Sequence, residues 1–259
     1  MKKNLFYLGM AVLLSAAVVS CNKDDDDEDA VKSYLVKTVS FEAEWAGGVQ
    51  AYEFMYDANK RVTGFERTWD GGDDGTFAYD YSVANKLILT KDGDDYAEYE
   101  VNAAGYITKE PWSESEWFRG EYDANGYLSK VYEHWDGVDH LKYEMTITNG
   151  NITKITTYDD DGVTVRRIKE FTYTIGDNVN GLHQANATDS DWKTVGNFYG
   201  KPSKKLVDYF EYWDPREATI VKSRSSLGYE FDEMDRPIKV TKTLADMSTE
   251  VWNYSYYEE

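Results

Sequence analysis

The chain has 259 residues, 41% of them apolar and 15% aromatic, and its 28 Lys+Arg against 48 Asp+Glu give a formal charge of -20. This content excludes disorder throughout, and 22 Tyr, 8 Trp and 10 Phe beside 4 Pro favour strands over helix bundles. The charge opposes nucleic acid and other polyanions as partners, and a single Cys excludes an internal disulfide or a Cys-cluster metal site.

Met1-Lys2-Lys3 followed by a largely apolar run from Leu5 to Val19 has the layout of a secretory signal peptide, which predicts a leader over residues 1–20. The run is shorter than the roughly 20 residues of a permanent membrane helix. Val18-Val19-Ser20-Cys21 resembles the lipobox of bacterial lipoproteins, which implies cleavage before Cys21 and lipid attachment to its sulfur and amine. A free Cys at an ordinary cleavage site is the alternative. Acyl chains contribute ~0.8 kcal/mol per buried CH₂, so several together make a firm membrane anchor. Residues 21–30 then form the lipidated Cys and an acidic tether, because the like charges from Asp24 to Asp29 repel and stay solvated. An acidic run directly behind the acylated Cys also resembles the surface-export signal of Bacteroidetes-type lipoproteins. It implies an outer-membrane protein displayed on the cell surface, with a periplasm-facing anchor as the alternative.

Residues 31–259 show no Pro/Ser-rich linker and read as a single β domain. The periodicity is two: Val39, Phe41, Ala43 and Trp45 fall on one side of an extended chain and Thr38, Ser40, Glu42 and Glu44 on the other. Ala97, Tyr99 and Val101 oppose Glu98 and Glu100. Phe171, Tyr173 and Ile175 oppose Glu170, Thr172 and Thr174, and Ile238, Val240 and Leu244 oppose Lys239, Thr241 and Thr243. Each segment is expected to be a strand with one wet face.

Corners of two kinds separate these segments. Residues 56–63 (YDANKRVT), 101–108 (VNAAGYIT), 122–129 (YDANGYLS) and 231–238 (FDEMDRPI) form a degenerate repeat, and Asn149-Gly150 is a further corner of the same sort. Asp or Asn at the turn start bonds backbone N–H groups two residues on, while Asn-Gly or a lone Asn tolerates positive φ. Corners richer in acid and Gly alternate with them, at Asp70–Gly75, Asp92–Asp95, Asp136-Gly137 and Asp159–Gly162. This alternation is expected when the two kinds lie at opposite ends of an antiparallel meander. Residues 176–206, crowded with Gly and Asn, are expected to be an irregular insertion that covers or plugs one end, with a short helix around Asp189 to Val195.

The corner formula resembles the YD repeat of Rhs-type shells. Together with the lipobox, the acidic tether and the segment from Asn197 to Leu206, the chain resembles a Bacteroidetes lipoprotein family of unknown function with a porin-like fold. The resemblance implies an all-β fold, a single antiparallel meander of hairpins curled into a barrel-like sheet. It supplies no functional residues. A soluble barrel is expected, not a membrane-spanning one, because Glu98, Glu100, Lys130, Lys154, Lys169, Glu170, Arg236 and Lys239 occupy positions outside the core pattern. Arg or Lys at a bilayer midplane costs about 2–4 kcal/mol.

No Gly-x-Ser-x-Gly elbow, P-loop, His-Glu-x-x-His or dinucleotide fingerprint occurs, so neither an enzyme nor a cofactor is expected. Of His134, His140 and His183, the first two flank Trp135-Asp136-Gly137 and read as solvated loop side chains, and the acid and Gly corners read as solvated turns or, at most, weak Ca²⁺ chelators. The aromatic residues carry the best-specified hypothesis. Trp69, Trp135 and Trp213 each precede an Asp and are the candidate stacking platforms for a sugar ring, against the alternative that they fill the core or cap its ends. The expected function is a lipid-anchored, non-catalytic module for glycan or nutrient binding. The alternatives are a scaffold component of an outer-membrane uptake complex and, more weakly, a carboxylate-dependent glycoside hydrolase.

Overall fold

The computed structural model describes residues 34–43, 47–72, 74–173, 176–178, 182 and 195–258. The leader 1–20, Cys21 with its tether to residue 30, Trp45, His183, Trp192 and nearly all of the short helix expected around Asp189 to Val195 lie outside them. Among the described residues all sixteen elements are strands. In chain order they are β1 Val36–Ala43, β2 Gly48–Tyr56, β3 Val62–Trp69, β4 Gly75–Asp80, β5 Lys86–Lys91, β6 Asp94–Val101, β7 Ile107–Pro111 and β8 Trp117–Tyr122. They continue as β9 Leu128–Trp135, β10 Val138–Thr148, β11 Asn151–Tyr158, β12 Val165–Thr172, β13 Tyr209–Trp213, β14 Ser223–Phe231, β15 Pro237–Thr243 and β16 Thr249–Tyr256. Each strand pairs antiparallel with its sequence neighbours. The pairing of β1 with β16, from Val36 opposite Tyr256 to Ala43 opposite Glu250, closes the meander into a barrel.

Closure gives the two faces of every strand different solvents. Val39, Phe54, Phe65, Phe77, Leu89 and Val240, from six different strands, are almost completely buried and belong to one continuous cluster, which can only lie inside. The alternation expected for Val39, Phe41 and Ala43 against Ser40 and Glu42, and for Tyr99 against Glu98 and Glu100, is present. Outward positions pair charge with charge across strands, as in Lys86 with Glu98 and Arg224 with Glu211. This is the reverse of a membrane barrel, whose outward band is apolar and whose interior is polar. Lys169 departs from the expected outer face. Two residues before buried Phe171 on the same strand, it shares the inner side.

The repeat acts through one mechanism. In each of its four units the Asp or Asn Oδ1, of Asp57, Asn102, Asp123 and Asp232, accepts bonds from the N–H groups two and four residues on, at 2.9–3.0 Å. These backbone bonds help hold the Asp57 carboxyl below the usual carboxylate range. The residue three beyond the Asx adopts positive φ: Lys60, Gly105, Gly126 and Asp235. The position that turns left-handed is thus one later than the lone Asn59 expected from the sequence. After each corner the ladder is irregular, as where Glu230 faces Lys239 but Phe231 faces Pro237. The extra residue is a β-bulge. In three bulges the hydroxyl of Thr108, Ser129 or Thr153 bonds a cross-strand carbonyl at 3.0–3.2 Å, the physical basis of the Thr or Ser that ends the formula. The same bulge corrects one expectation. Pro237 takes the inner position before Val240, and Ile238 is left exposed.

Six tyrosines tie these corners together. Tyr56, Tyr81, Tyr122, Tyr173, Tyr229 and Tyr256, each near the end of an even-numbered strand, donate to the carbonyls of Val36, Val62, Ile107, Ile152, Val207 and Pro237 at 2.5–2.7 Å. Each acceptor lies within two residues of the start of the preceding odd-numbered strand. This end is also covered by the connection from β12 to β13. Its Phe198, Tyr199, Leu206 and Val207 are buried, and its backbone bonds Ile107, Gly126 and Gly150, spanning three neighbouring corners. We call this end the floor. The acid and Gly corners all lie at the opposite end, the mouth.

Candidate functional site

Read from floor to mouth, the inner face changes character. On β3 the inward residues run Val62, Phe65, Arg67, Trp69; on β9, Leu128, Val131, Glu133, Trp135. On β12 they run Phe171, Lys169, Arg167, and on β15 Pro237, Val240, Lys242. The floor half is packed hydrocarbon and the mouth half a cup of charged and aromatic side chains. Strand periodicity produces this arrangement, because every second residue shares a face and only the residue type changes along it.

Of the three candidate tryptophans, the fold brings two to the cup. Trp69 lies opposite Gln50 and four residues from buried Phe65, on the inner face of β3. Its indole Nε1–H is buried and has no hydrogen-bond partner. Trp135 ends β9 on the inner face and stacks on His140, with ring centroids 4.1 Å apart and planes 14° apart. Trp213 is elsewhere. It pairs with Ile168 on the outer wall, and the Lys222 ammonium sits 4.1 Å over its ring. Trp117 is also outward, stacked on His134 at 3.6 Å, and Trp112 packs edge-on against Phe118 at 3.9 Å. The two-residue turn Asp136-Gly137 places both histidines on strands, not in a solvated loop: His134 bonds Asp139 outside at 2.7 Å, while His140 faces in.

The cup's carboxylates are held in place. Glu133 accepts from Lys142 Nζ at 3.1 Å and Glu250 accepts from Lys242 Nζ at 2.6 Å, while Glu110 on β7 accepts from the hydroxyl of Tyr199 in the floor connection. Partial burial pulls the Lys142 ammonium down, but its bonds to Glu133 and Asp160 outweigh this and hold it above its ordinary value. Cations also lie over rings. Arg67 and Lys91 flank the Phe77 ring at 5.0 and 5.7 Å, Lys169 is 4.9 Å from the Phe210 centroid, and Arg167 is 5.7 Å from that of Tyr212. The sequence reasoning missed these inner cations. Their signal was present, since Arg167, Lys169 and Phe171, like Val240 and Lys242, alternate in step.

Around the mouth, the hairpin tips expose apolar side chains. Tyr96, Trp112, Val138, Val163, Val221 and Met247 come from six successive hairpins and are each more than half exposed, up to 77% for Val163 and Met247. Among the described residues no group of three or more His, Cys, Asp or Glu side chains is placed to hold a metal ion. The site therefore offers stacking, hydrogen bonding and charge.

No family model matches the sequence, and neither does any curated protein. Among solved structures, the chain is similar to a porin-like protein from Bacteroides uniformis, with a TM-score of 0.66 and 15% identity over 86% of this chain and 98% of that one. It is also similar to a porin-like protein from Bacteroides vulgatus, with a TM-score of 0.55 and 11% identity over 87% of this chain and all of the other. At such identities the likeness is one of fold: the chain shares the antiparallel β-barrel of these Bacteroides porin-like proteins.

Proposed function

We propose that the protein is a surface lipoprotein, anchored through Cys21, whose barrel stands in water and binds a glycan in its mouth without transforming it. The observation that carries this reading is the cup, in which Trp69 and Trp135 project inward at the end of the barrel opposite its covered floor. Aromatic faces stack on the C–H faces of sugars, and the charged groups beside them bond hydroxyls. The charged outer wall supports placement in water rather than lipid.

A second reading is favoured by the apolar tips around the mouth. Such a rim suits docking against a partner, as a component of an outer-membrane uptake complex. One experiment on whole cells separates the two. Cys21→Ser is expected to move the protein from membranes to the soluble fraction, and membrane retention unchanged by this variant would remove the anchor. Trp69→Ala combined with Trp135→Ala is expected to leave surface abundance intact and to lower retention of a bound polysaccharide about tenfold or more. Failure of the wild type to retain any polysaccharide would overturn binding in favour of docking.

A further inference from the structure

The charge of this protein is unevenly distributed. The chain carries -20 overall, yet on the inner wall toward the mouth Arg67, Lys91, Lys142, Arg167, Lys169 and Lys242 face Glu133 and Glu250, beneath a rim that carries Asp94 opposite Lys91, Asp160 bonded to Lys142 and the other acid corners. The inner wall is cationic in an acidic molecule. Two clusters account for most of it. Arg67 and Lys91 flank Phe77 on β3 to β5, while Arg167, Lys169 and Lys242 surround Phe210 and Tyr212 on β12 to β15. In the closed order β4 and β12 are eight strands apart in either direction, so the clusters face each other across the barrel.

We propose that the glycan bound by the mouth is acidic, its carboxylate or sulfate groups seated between the Arg67–Lys91 and Arg167–Lys169 clusters while its sugar rings stack on Trp69 and Trp135. This rests on the binding reading above and refines it. Overall charge alone predicts repulsion of polyanions, but the relevant range is short. At physiological ionic strength the Debye length is about 8 Å, so acids on the outer wall are largely screened at the cup, while charges on its low-dielectric inner wall are screened much less. Arg67, Lys91 and Lys169, half-buried over aromatic rings, are also partly desolvated already, which lowers the cost of their pairing with an anion, while Arg167 is exposed to one.

The test is affinity electrophoresis of the mature chain through gels containing polygalacturonate, chondroitin sulfate or neutral dextran, at low and high salt. Wild type is compared with Arg167→Gln/Lys169→Gln, Arg67→Gln/Lys91→Gln and the outer-wall control Lys86→Gln, each checked for a native circular dichroism spectrum. The two double variants alter opposite walls, so either suffices if the other fails to fold. The inference expects at least one acidic polymer to retain wild type about tenfold more strongly than dextran, with this retention lost in high salt and in the cup variants and kept in Lys86→Gln. Retention by dextran equal to that by the acidic polymers, or unchanged retention in the cup variants, overturns the acidic ligand and leaves glycan binding standing. Retention by none of the three overturns the binding reading itself.

Discussion

Alkaline solution is expected to unfold this barrel cooperatively between about pH 10 and 12 through its floor tyrosines. The hydroxyls of Tyr56, Tyr81, Tyr122, Tyr173 and Tyr229 are all held above the ordinary tyrosine range, chiefly by burial, Tyr173 being pushed up to about 12. In the unfolded chain the same groups ionise near pH 10. The folded state therefore binds their protons more tightly. The stabilisation is complete below pH 10 and is lost as pH rises through 10 towards the folded values. Each group contributes a slope of about 1.4 kcal/mol per pH unit in that window, so five, even halved for solvent screening, remove a few kcal/mol per unit from a typical total of about 5–15 kcal/mol. Ionisation also deletes the donor that satisfies each strand-start carbonyl. Tyrosinate absorbance and far-ultraviolet circular dichroism should change together. Complete tyrosine titration with an intact β spectrum would show that the floor does not depend on these bonds.

Phe65→Ala is expected to cost about 3–5 kcal/mol, the usual range for an aromatic side chain removed from a packed core. Phe65 is 1% exposed, lies flat on Phe77 with centroids 4.5 Å and planes 10° apart, and touches Phe54, Tyr52 and Tyr79 at centroid separations of 5.8–6.0 Å. Its neighbours are held by the sheet on both sides, so the space it vacates cannot collapse. Urea unfolding of wild type and variant measures the difference. A cost below about 1 kcal/mol would mean that the interior is loosely filled.

Much of this architecture is readable in the residues. The Asx corners were identified with their mechanism, because one side-chain oxygen accepting two backbone N–H groups is a local event within five residues. Their segregation to one end followed from alternation along a meander. Strand count and closure were not readable, since the seam joins Thr38 to Ser255 and Phe41 to Trp252, and period two carries no information about partners more than two hundred residues away. Side-chain direction near the mouth was only partly readable. Each bulge shifts the parity by one, as Ile238 shows, and the same period-two pattern leaves Trp69 and Trp135 inside but Trp213 outside once the registers are known. The inner cations were overlooked for a different reason. Period two places charge on the outer face by default, whereas near the mouth the inner face carries charge as well.

The account depends most on the seam, because a sheet with free edges would have neither a floor nor a cup. Thr38 Oγ1 and Ser255 Oγ are 2.6 Å apart across it. In a Cys21→Ser background, Thr38→Cys with Ser255→Cys should form an intramolecular disulfide under mild oxidation of the folded protein, since two side chains in such contact meet the geometry a disulfide needs. A control pair, Thr38→Cys with Thr76→Cys, should leave both thiols free. Free thiols in the Thr38/Ser255 pair of a natively folded protein would contradict closure and, with it, the separation of inner and outer faces on which the site rests.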